Sequence, residues 1–336
     1  MTLPHLLDWH LLPDDRWQQQ IGRALHHHRT RAWSEAARGK SLGLLFFNPS
    51  LRTRTSMELA AAQLGAHVTT LVPGQGTWGF AWEDGVMDGA EAEHIREAVG
   101  VLSRYYDALG VRVFASQTNY ERDRQDRLLH TFAEAASVPV VSLESAFYHP
   151  CQALADAATL HTLFDGAVAG KRFVLAWTTH PKALPMAVPN SAVLMAARLG
   201  MHVTIARPPG FGLDEDVLNL ARQYAADHDQ IVTETEDLDR ACAGAHVVYA
   251  KAWGGRAVYT DPDAEAEQRA RCRAWRVTKD HMASTAQGAF LHCLPVRRGV
   301  VVDGAVLDGP QAHHLLQAEF RLHAQKAILE YLWDLT

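Results

Sequence analysis

Apolar runs alternate with amphipathic stretches along the first half of the chain. Residues 42–47 form an apolar run typical of a buried strand, and the residues after it place Met57, Ala60, Ala61 and Leu64 at helical spacing. Strands that alternate with helices predict a parallel sheet with helices on its faces. The predicted strands are 42–47, 67–72, 109–114 and 139–143, and the predicted helices are 53–64, 91–105, 122–136 and about 150–164.

A second series of the same kind follows the linker-like stretch 165–171. Its predicted strands are 173–177, 202–206, 231–233, 247–250 and 289–293, with helices starting near Asn190, Asp214 and Asp237. A long amphipathic helix over 315–335 presents a core face that can pack back against the first domain. We therefore predict an α/β protein of two doubly wound parallel-sheet domains, one of residues 1–150 with the helix 315–336, the other of residues 151–314. Ligands of such folds lie at the carboxyl ends of strands, which predicts an active site in the cleft between the domains.

Composition narrows the function classes. The chain has 336 residues, 48% hydrophobic and 21% charged, as is ordinary for a globular protein. Its formal net charge of −6 and its lack of a long basic run argue against nucleic acid as a partner. The turn after the strand 173–177 reads Thr178-Thr179-His180-Pro181-Lys182 rather than G-x-G-x-x-G, so no nicotinamide cofactor is expected.

The cysteine and histidine patterns predict neither a disulfide scaffold nor a metal site. The four cysteines are too widely spaced for a zinc or redox motif, which fits a reducing cytoplasm. The first residues lack a signal-peptide pattern and no apolar run is long enough to span a bilayer, so we expect a cytoplasmic protein with no membrane partner. The run His26-His27-His28 has no accompanying ligand spacing and predicts a solvated basic helix face.

The segment 48–55 is the richest in candidate chemistry. Ser50 is a natural N-cap for the helix that follows, which puts Arg52 and Arg54 in the first helical turn. A helix N-terminus carries partial positive charge, so these arginines are unfavourable there unless an anion binds. The hydroxyls of Ser50, Thr53 and Thr55 add donors that suit a phosphate. The alternative is an ordinary strand-turn-helix whose arginines point into water.

Three further motifs follow predicted strands, and with Ser50-Leu51-Arg52-Thr53-Arg54 they closely resemble the transcarbamylases, the aspartate/ornithine carbamoyltransferase superfamily. The three are Gly110-Val111-Arg112, His149-Pro150-Cys151-Gln152 and His292-Cys293-Leu294-Pro295. The resemblance spans residues 46–321. Each motif alone is weak, but four in this order are highly specific. Transcarbamylases move a carbamoyl group from carbamoyl phosphate to an amine.

The resemblance implies a site for carbamoyl phosphate. Its binding residues would be Ser50, Leu51, Arg52, Thr53, Trp78, Arg112, His149, Pro150, Cys151, Gln152, Cys293, Leu294 and Arg321. Within this set, Arg112 and His149 would donate to the carbamoyl oxygen, whereas Gln152 and the carbonyls of Cys293 and Leu294 would accept from the carbamoyl NH₂ group. Because the amine attacks the carbamoyl carbon directly, no covalent nucleophile, metal or cofactor is expected. The leaving phosphate can take the proton of the amine, which removes the need for a tuned general base.

Lys251 predicts the class of amine. Ornithine transcarbamylases carry an aspartate in the segment equivalent to 250–254, where it pairs with the charged α-ammonium of the substrate. A lysine would repel an ammonium, so the substrate should have an acylated α-nitrogen and a carboxylate for Lys251. Trp78, in a Gln75-Gly76-Thr77-Trp78 loop, also resembles the N-acylornithine branch, in which this loop reaches into a neighbouring subunit of a homotrimer. The alternative for Trp78 is simple loop packing.

Three positions bear on the acyl group. Acetylornithine enzymes typically place a glutamate at Ala92, an asparagine at Pro185 and a carboxylated lysine at Val301, and this chain lacks all three. A buried glutamate would repel the second carboxylate of a succinyl group, and Ala92 removes that repulsion. We expect Glu91 and Glu93 to point elsewhere, because neighbours on a helix diverge by about 100°.

The resemblance therefore points to N-succinyl-L-ornithine carbamoyltransferase activity in arginine biosynthesis. By similarity Glu144, His180, Lys251 and Arg297 would contact the acylated ornithine, and Arg297 is the natural partner for the added carboxylate; the alternative for Arg297 is a surface arginine. Two other functions stay open at this point. One is the same reaction on N-acetyl-L-ornithine, and the other is a non-catalytic protein that binds carbamoyl phosphate.

Overall fold

Each half of the chain builds its own parallel sheet. The computed structural model describes residues 3–335. One unit takes the chain up to Ser116, the segment Glu121–Leu154 and the chain from Phe320, and the other takes Gln117–Tyr120 and Ala155–Glu319. The α/β fold with two parallel sheets predicted from the alternating pattern is confirmed.

The sheet of the first unit has five parallel strands in the order β3-β2-β1-β6-β7. Its strands β1, β6 and β7 are buried over almost their whole length, as expected of strands covered on both faces. A small parallel ladder joins β4 to β5 beside it. The strands are β1 (Ser41–Phe46), β2 (His67–Pro73), β3 (Gly76–Thr77), β4 (Phe80–Ala81), β5 (Glu93–His94), β6 (Ala108–Arg112) and β7 (Val140–Glu144).

The helices of the first half follow the predicted alternation. After a short 3-10 turn at Trp9–Leu11, they are α1 (Asp14–Thr30), α2 (Arg52–Gln63), α3 (Ile95–Leu102), α4 (Tyr120–Arg124), α5 (Arg127–Ala135) and α6 (Pro150–Leu163). A core of buried aliphatic residues from β1, α3, β6 and α5 holds this unit together.

The second sheet repeats the same winding, in the order β10-β9-β8-β11-β12, again all parallel. Its strands are β8 (Arg172–Trp177), β9 (His202–Ala206), β10 (Val232–Thr235), β11 (Val247–Lys251) and β12 (Ala289–Leu291). The helices after α6 are α7 (Ala187–Arg198), α8 (Glu215–Ala226), α9 (Leu238–Cys242), α10 (Pro262–Arg271), α11 (Lys279–Ser284), α12 (Gly304–Leu307) and α13 (His314–Leu332), with a 3-10 turn at Arg256–Tyr259.

Two of the three predicted helix starts in the second half are confirmed. The Asp214 side chain accepts from the backbone N–H of Asp216 before α8, and the Asp237 side chain accepts from that of Arg240 before α9. The third prediction is off by three residues, since α7 begins at Ala187 rather than Asn190. Pro189 lies in the first turn of α7, where a proline costs no intrahelical hydrogen bond.

Two predicted helices are wrong in extent. The helix predicted over 91–105 is only α3, because the ring of His94 accepts from the backbone N–H of Arg96 and starts the helix at Ile95. Ala92 therefore lies in a bend before β5, so the argument that it sits on a helix with its neighbours is wrong. The helix predicted over 122–136 is divided into α4 and α5 at Asp126, whose φ of 48° is left-handed.

The histidine run is not the solvated face that was predicted. His27 is buried, and its Nε2 lies 3.0 Å from the Glu330 carboxylate on α13. Arg23 pairs with the same carboxylate at 2.6 Å. Burial raises the pKa of Glu330, but the hydrogen bonds from His27 and Arg23 outweigh it, and the net result is a lowered pKa. This cluster fixes the end of α13 against α1.

The four cysteines are free thiols. None of the helices formed by residues 3–335 combines the length and the apolar character that a membrane crossing requires.

Candidate active site

The first group of predicted residues lies where the winding of the first sheet reverses. Strand β1 lies between β2 and β6, and the loops after β1 and β6 leave the sheet at its carboxyl edge. That reversal is the usual ligand position in a doubly wound sheet. Asn48 Oδ1 accepts from the backbone N–H of Phe114 at 2.8 Å, which joins the two loops.

Ser50 caps α2 as predicted, with a one-residue difference in position. The helix is bounded by Leu51, which makes no side-chain cap, while Ser50 Oγ accepts from the backbone N–H of Thr53 at 3.2 Å. Thr53 is buried, Arg52 is half-buried and the Leu51 side chain is exposed. The start of α2 therefore brings Ser50, Arg52 and Thr53 together, as the resemblance implied.

Arg54 has an ordinary explanation that the sequence argument missed. Its Nε lies 3.0 Å from Glu58 Oε1, one helical turn further on, and its side chain is about half exposed. Glu58 also accepts from Thr70 Oγ1 at 2.6 Å. The argument for an anion at this helix start is therefore left to Arg52.

Arg321 ties two predicted parts of the site together. Its Nη1 donates to Gln152 Oε1 at 2.8 Å and its Nη2 donates to Thr53 Oγ1 at 2.8 Å. All three side chains are at most 2% exposed. A guanidinium that bridges a hydroxyl and an amide in a buried setting holds both in fixed orientation, because its donors are planar and rigid.

Arg112 and His149 converge on a single carboxylate oxygen. Arg112 Nη1 pairs with Glu144 Oε2, and His149 Nε2 lies 3.4 Å from the same oxygen. The guanidinium also lies 4.4 Å from the ring centroid of Phe114. Among the described residues, Arg112 Nε is buried without a hydrogen-bond partner. Two donors directed at one oxygen are the arrangement that stabilises a developing oxyanion.

Glu144 is held in an unusual backbone conformation. Its φ of 152° is rare for a residue with a side chain, and the register of β6 against β7 shifts between Val111 and Arg112 beside it. The shift makes Arg112 and Glu144 direct partners across the two strands. The strand ends therefore place an arginine and a glutamate side by side.

Cys151 lies where burial disfavours a reactive thiolate. Its Sγ lies 3.5 Å from the Ser142 carbonyl in a fully buried position. Burial raises the pKa of this thiol, and the charge of Arg321 offsets the effect only in part. The carbonyl of Pro150, the first residue of α6, accepts from Trp9 Nε1 at 2.8 Å.

The winding of the second sheet also reverses, and different side chains lie at that position. Strand β8 lies between β9 and β11, so Thr178 to His180 and Lys251 follow adjacent strand ends. His180 Nδ1 lies 2.9 Å from the Lys182 carbonyl, and Arg297 Nε donates to His180 Nε2 at 3.1 Å. The backbone N–H of Lys182 also donates to Nδ1 at 3.0 Å, so both ring nitrogens of His180 are engaged.

Positive charge surrounds His180. Burial lowers the pKa of His180 most, the hydrogen bond to Lys182 opposes it, and the charges of Arg297, Lys251 and Arg269 lower it further. Within the part of the chain that the structure describes, the Lys251 ammonium has no carboxylate partner. This end of the sheet suits a ligand that carries carboxylate.

Hydrogen bonds to the side chains of His292 and Gln317 fix the His292–Pro295 segment. Leu294 N–H donates to His292 Nδ1 at 2.8 Å, and Leu294 has a left-handed φ of 60° before a cis peptide bond to Pro295. Gln317 on α13 accepts from the backbone N–H of His292 at 2.9 Å and donates to Asp156 at 2.7 Å. Cys293 is buried in this loop.

The remaining predicted residues have the following surroundings. Trp78 is 58% exposed, and its Nε1 donates to Glu93 Oε2 at 2.7 Å. Ala92 is exposed, and Pro185 lies in the loop before α7. Val301 is 2% exposed and packs in the apolar core of the second unit.

Sequence reasoning missed two supporting residues, Asn48 and Gln317. Asn48 precedes a proline, a common turn signal, and its side chain joins two loops. Gln317 is a fully buried polar residue one helical turn before Arg321 on α13. Gln317, Arg321 and Gln325 recur every four residues along this helix, and such a polar series was a signal in the sequence.

Known proteins match almost the whole length of this chain. The carbamoyl-P binding domain of aspartate/ornithine carbamoyltransferase matches residues 4–162, and the Asp/Orn binding domain of the same family matches residues 186–332. The N-acetylornithine carbamoyltransferase of Xanthomonas campestris pv. campestris is 43% identical over 99% of this chain and 98% of its own length. The N-succinylornithine carbamoyltransferase of Bacteroides fragilis is 36% identical over 89% of both chains.

Among solved structures, one N-acetyl-L-ornithine transcarbamylase superposes with a TM-score of 0.95 at 42% identity, over 98% of this chain and 99% of its own. It carries a glutamate-to-alanine mutation and is complexed with carbamyl phosphate and N-succinyl-L-norvaline. The chain belongs to the aspartate/ornithine carbamoyltransferase family and is a carbamoyltransferase. Within that family it falls in the N-acylornithine branch.

Proposed function

We propose that this enzyme transfers the carbamoyl group of carbamoyl phosphate to the δ-amine of N-succinyl-L-ornithine. The amine nitrogen attacks the carbamoyl carbon, the bond from that carbon to the phosphate oxygen breaks, and phosphate leaves with the proton of the amine. The products are N-succinyl-L-citrulline and phosphate. N-Succinyl-L-citrulline would serve arginine biosynthesis.

The first unit supports the binding of carbamoyl phosphate. The start of α2 offers Ser50, Arg52 and Thr53 to a phosphate, with Arg321 hydrogen-bonded to Thr53. Arg112 and His149 already share one oxygen of Glu144, so a carbamoyl oxygen bound in that position would displace this carboxylate. Glu144 would then be released to face the acylated ornithine.

The second unit supports an acylated amino acid as the acceptor. Lys251 has no carboxylate partner among residues 3–335, and Arg297 lies beside it on His180; this pair suits the α-carboxylate of a substrate whose α-nitrogen carries no charge. A free ornithine would bring an α-ammonium into the same positive field, and like charges disfavour that substrate.

Ala92 carries the choice of the succinyl group. The resemblance places a glutamate at this position in acetylornithine enzymes, and removing it removes a charge that repels a second carboxylate. The N-acetyl-L-ornithine transcarbamylase with a glutamate changed to alanine, complexed with N-succinyl-L-norvaline, supports this reading. Pro185 and Val301 depart from the acetylornithine pattern in the same direction.

N-Acetyl-L-ornithine is the second candidate acceptor, because the N-acetylornithine relative is 43% identical and the N-succinylornithine relative is 36% identical. The test measures citrulline formation with both acyl-ornithines at saturating carbamoyl phosphate, with free ornithine as the control. We expect kcat/KM for the succinyl substrate to exceed that for the acetyl substrate by at least tenfold, about the effect of one charge pair. Equal or faster turnover of the acetyl substrate would assign the enzyme to that reaction.

A homotrimer in which Trp78 enters a neighbouring subunit is part of the same proposal. The exposed apolar side chains of Trp78, Val86 and Met87 on the loop between β3 and β5 support it. Sedimentation equilibrium of the wild-type protein and of Trp78→Ala would test it. A monomeric wild-type protein with full activity would contradict the trimer.

A further inference from the structure

An arginine-lined cavity opens beside His180 in the second unit. Its volume is about 600 Å³, within the range of small-molecule sites. It is bounded by the loop that carries His180, by one face of α10 and by the loop at Gly299 and Val300. The arginines in its wall are Arg269, Arg273 and Arg276.

The charges in this wall do not cancel. Arg269 is nine-tenths buried, pairs with Glu265 at 2.9 Å and donates to the His180 carbonyl at 2.8 Å. Arg276 pairs with Asp303 at 3.2 Å. Among residues 3–335, Arg273 has no ion pair, so the cavity carries one uncompensated positive charge, and Arg297 adds a second beside His180.

Apart from Thr179 and His180, the rest of the wall is apolar and small. Pro181, Ala266, Ala270 and Val300 leave room for an aliphatic chain, and a side chain at Gly299 would meet nothing within 4 Å. Apolar walls with arginines at one place favour a short hydrocarbon chain that ends in a carboxylate, because the guanidinium binds a carboxylate through two parallel hydrogen bonds.

We propose that this cavity binds the distal, carboxylate-bearing end of the acyl group, with Arg273 as its principal partner and Arg276 as its second. This inference rests on the proposed function, since it needs an acylated ornithine whose acyl chain leads away from His180. It makes Arg273 and Arg276, rather than Arg297, the partners of the added carboxylate, and it leaves the carbamoyl transfer to the residues described above.

The test compares two unreactive analogues on the intact protein saturated with carbamoyl phosphate. N-Succinyl-L-norvaline and N-acetyl-L-norvaline both lack the δ-amine and differ only in the acyl group. We expect Arg273→Gln to weaken the succinyl analogue by roughly tenfold or more in calorimetry, as loss of a charged hydrogen bond does. The acetyl analogue should change less than about twofold, because it has no second carboxylate for Arg273.

Two variants make the result decisive. Arg271→Gln is the matched control, because Arg271 lies two residues away on α10, pairs with Glu267 at 3.4 Å and does not line the cavity. Ala270→Leu narrows the cavity without changing its charge and should also weaken only the succinyl analogue. If Arg273→Gln and Ala270→Leu leave the succinyl analogue unchanged, or weaken both analogues equally, this inference is overturned. A wild-type protein that binds the acetyl analogue alone would instead overturn the proposed substrate.

A separate observation concerns the four residues 145–148 that join Glu144 to His149. Ser145 N–H donates to the Tyr148 carbonyl at 2.9 Å, and Ser145 Oγ accepts from the backbone N–H of Tyr148 at 3.0 Å. The segment is therefore a closed turn. Its conformation sets the distance between Glu144 and His149.

Asp126 holds this turn from outside. It is 5% exposed, and its carboxylate accepts from Ser145 Oγ at 2.7 Å and from the backbone N–H of Phe147 at 3.1 Å. It occupies the left-handed break between α4 and α5. Burial, and secondarily the charge of Asp8, raise the pKa of Asp126 to about 7, although both hydrogen bonds oppose this. Burial of a carboxyl group is unfavourable, and the protein nevertheless keeps one buried against the turn that joins Glu144 to His149.

We infer that Asp126 is a positioning residue for Glu144 and His149. It contacts neither reactant, and it acts by fixing the turn that orients them. Asp126→Asn retains the oxygen that accepts from Phe147, whereas Asp126→Ala removes both hydrogen bonds. We therefore expect the alanine variant to lose kcat by roughly tenfold or more and the asparagine variant to recover most of it.

The measurement separates positioning from a general loss of stability. Steady-state kinetics are run on the folded fraction, below the unfolding transition of each variant, and kcat is compared with the KM for carbamoyl phosphate. The control is Asp123→Ala, which removes the neighbouring carboxylate that binds Ser116 at 3.0 Å instead of the turn. If Asp126→Ala unfolds at lower temperature but keeps wild-type kcat, or Asp123→Ala lowers kcat as much, Asp126 has a structural role alone.

Discussion

Arg321 donates a hydrogen bond to Thr53 at 2.8 Å across 268 residues of sequence. Thr53 belongs to the first turn of α2, and Arg321 belongs to the last helix of the chain. The same guanidinium also binds Gln152. The hydroxyl that we propose binds phosphate and the amide that we propose binds the carbamoyl group are therefore oriented by one side chain.

Replacing Arg321 by lysine should reduce kcat/KM strongly. A lysine keeps the charge but cannot reproduce two donors in a planar fork, so Thr53 and Gln152 lose their common partner. We expect a loss of roughly 100-fold in kcat/KM for carbamoyl phosphate, the scale of losing a preorganised donor. Initial-rate kinetics check it, with Arg16→Lys on the exposed face of α1 as the control. Wild-type kinetics for Arg321→Lys would show that the bridge is dispensable.

Arg52 and Arg54 should differ sharply although two residues separate them. Arg54 is half exposed and pairs with Glu58, so Arg54→Ala should change the KM for carbamoyl phosphate less than about threefold. Arg52→Ala should raise it by roughly tenfold to 100-fold, because a charged donor to the phosphate is lost. The measurement is the KM for carbamoyl phosphate of both variants. Equal effects would remove Arg52 from the phosphate site.

Ala92→Glu should reverse the acyl preference. A glutamate at this position repels the second carboxylate of a succinyl group and leaves an acetyl group unaffected. We expect the ratio of kcat/KM for the succinyl and acetyl substrates to fall by roughly tenfold or more, a change that corresponds to about 1.4 kcal/mol. Ala90→Glu introduces the same charge two residues earlier and serves as the control. An equal fall in both substrates would contradict the charge argument.

Asp126 should make the free energy of unfolding fall as pH rises. Its pKa is raised from 3.8 to about 7 in the folded protein, so the folded state holds this proton more tightly than the unfolded state. The stabilisation is full below the unfolded pKa and is lost as pH rises through the folded pKa. The slope should approach about 1.4 kcal/mol per pH unit at its steepest. Urea unfolding of wild type and Asp126→Asn at several pH values checks it, and parallel curves for the two proteins would contradict it.

Much of the fold could be predicted because its strands are apolar runs flanked by clear turns. Strand β9 was predicted to the residue. The helix starts at Asp214 and Asp237 were predictable because an aspartate side chain caps a helix N-terminus. The break at Asp126 could not be predicted, because a left-handed aspartate gives no glycine signal. The buried pairing of His27 with Glu330 depends on a contact with the far end of the chain that local patterns do not encode.

The candidate site shows the same division. The residue types and their order along the chain were sufficient to place Ser50, Arg112 and His149 at strand ends. The ion pairs of the arginines could not be predicted. Arg54 pairs with Glu58 one helical turn away, whereas Arg112 pairs with Glu144 on the neighbouring strand. The arginine cavity beside His180 combines residues from three separate segments, so only the three-dimensional arrangement reveals it.

The division of the chain has a consequence for its synthesis. Residues from Phe320 onward belong to the first unit, yet they are made only after the whole second unit has been synthesised. Thr53 and Gln152 therefore lack their common hydrogen-bond partner until Arg321 is translated. About half of the polypeptide or more separates each of them from Arg321. The second unit is therefore complete in sequence before the first, and a chain truncated before Arg321 would lack the side chain that orients Thr53 and Gln152.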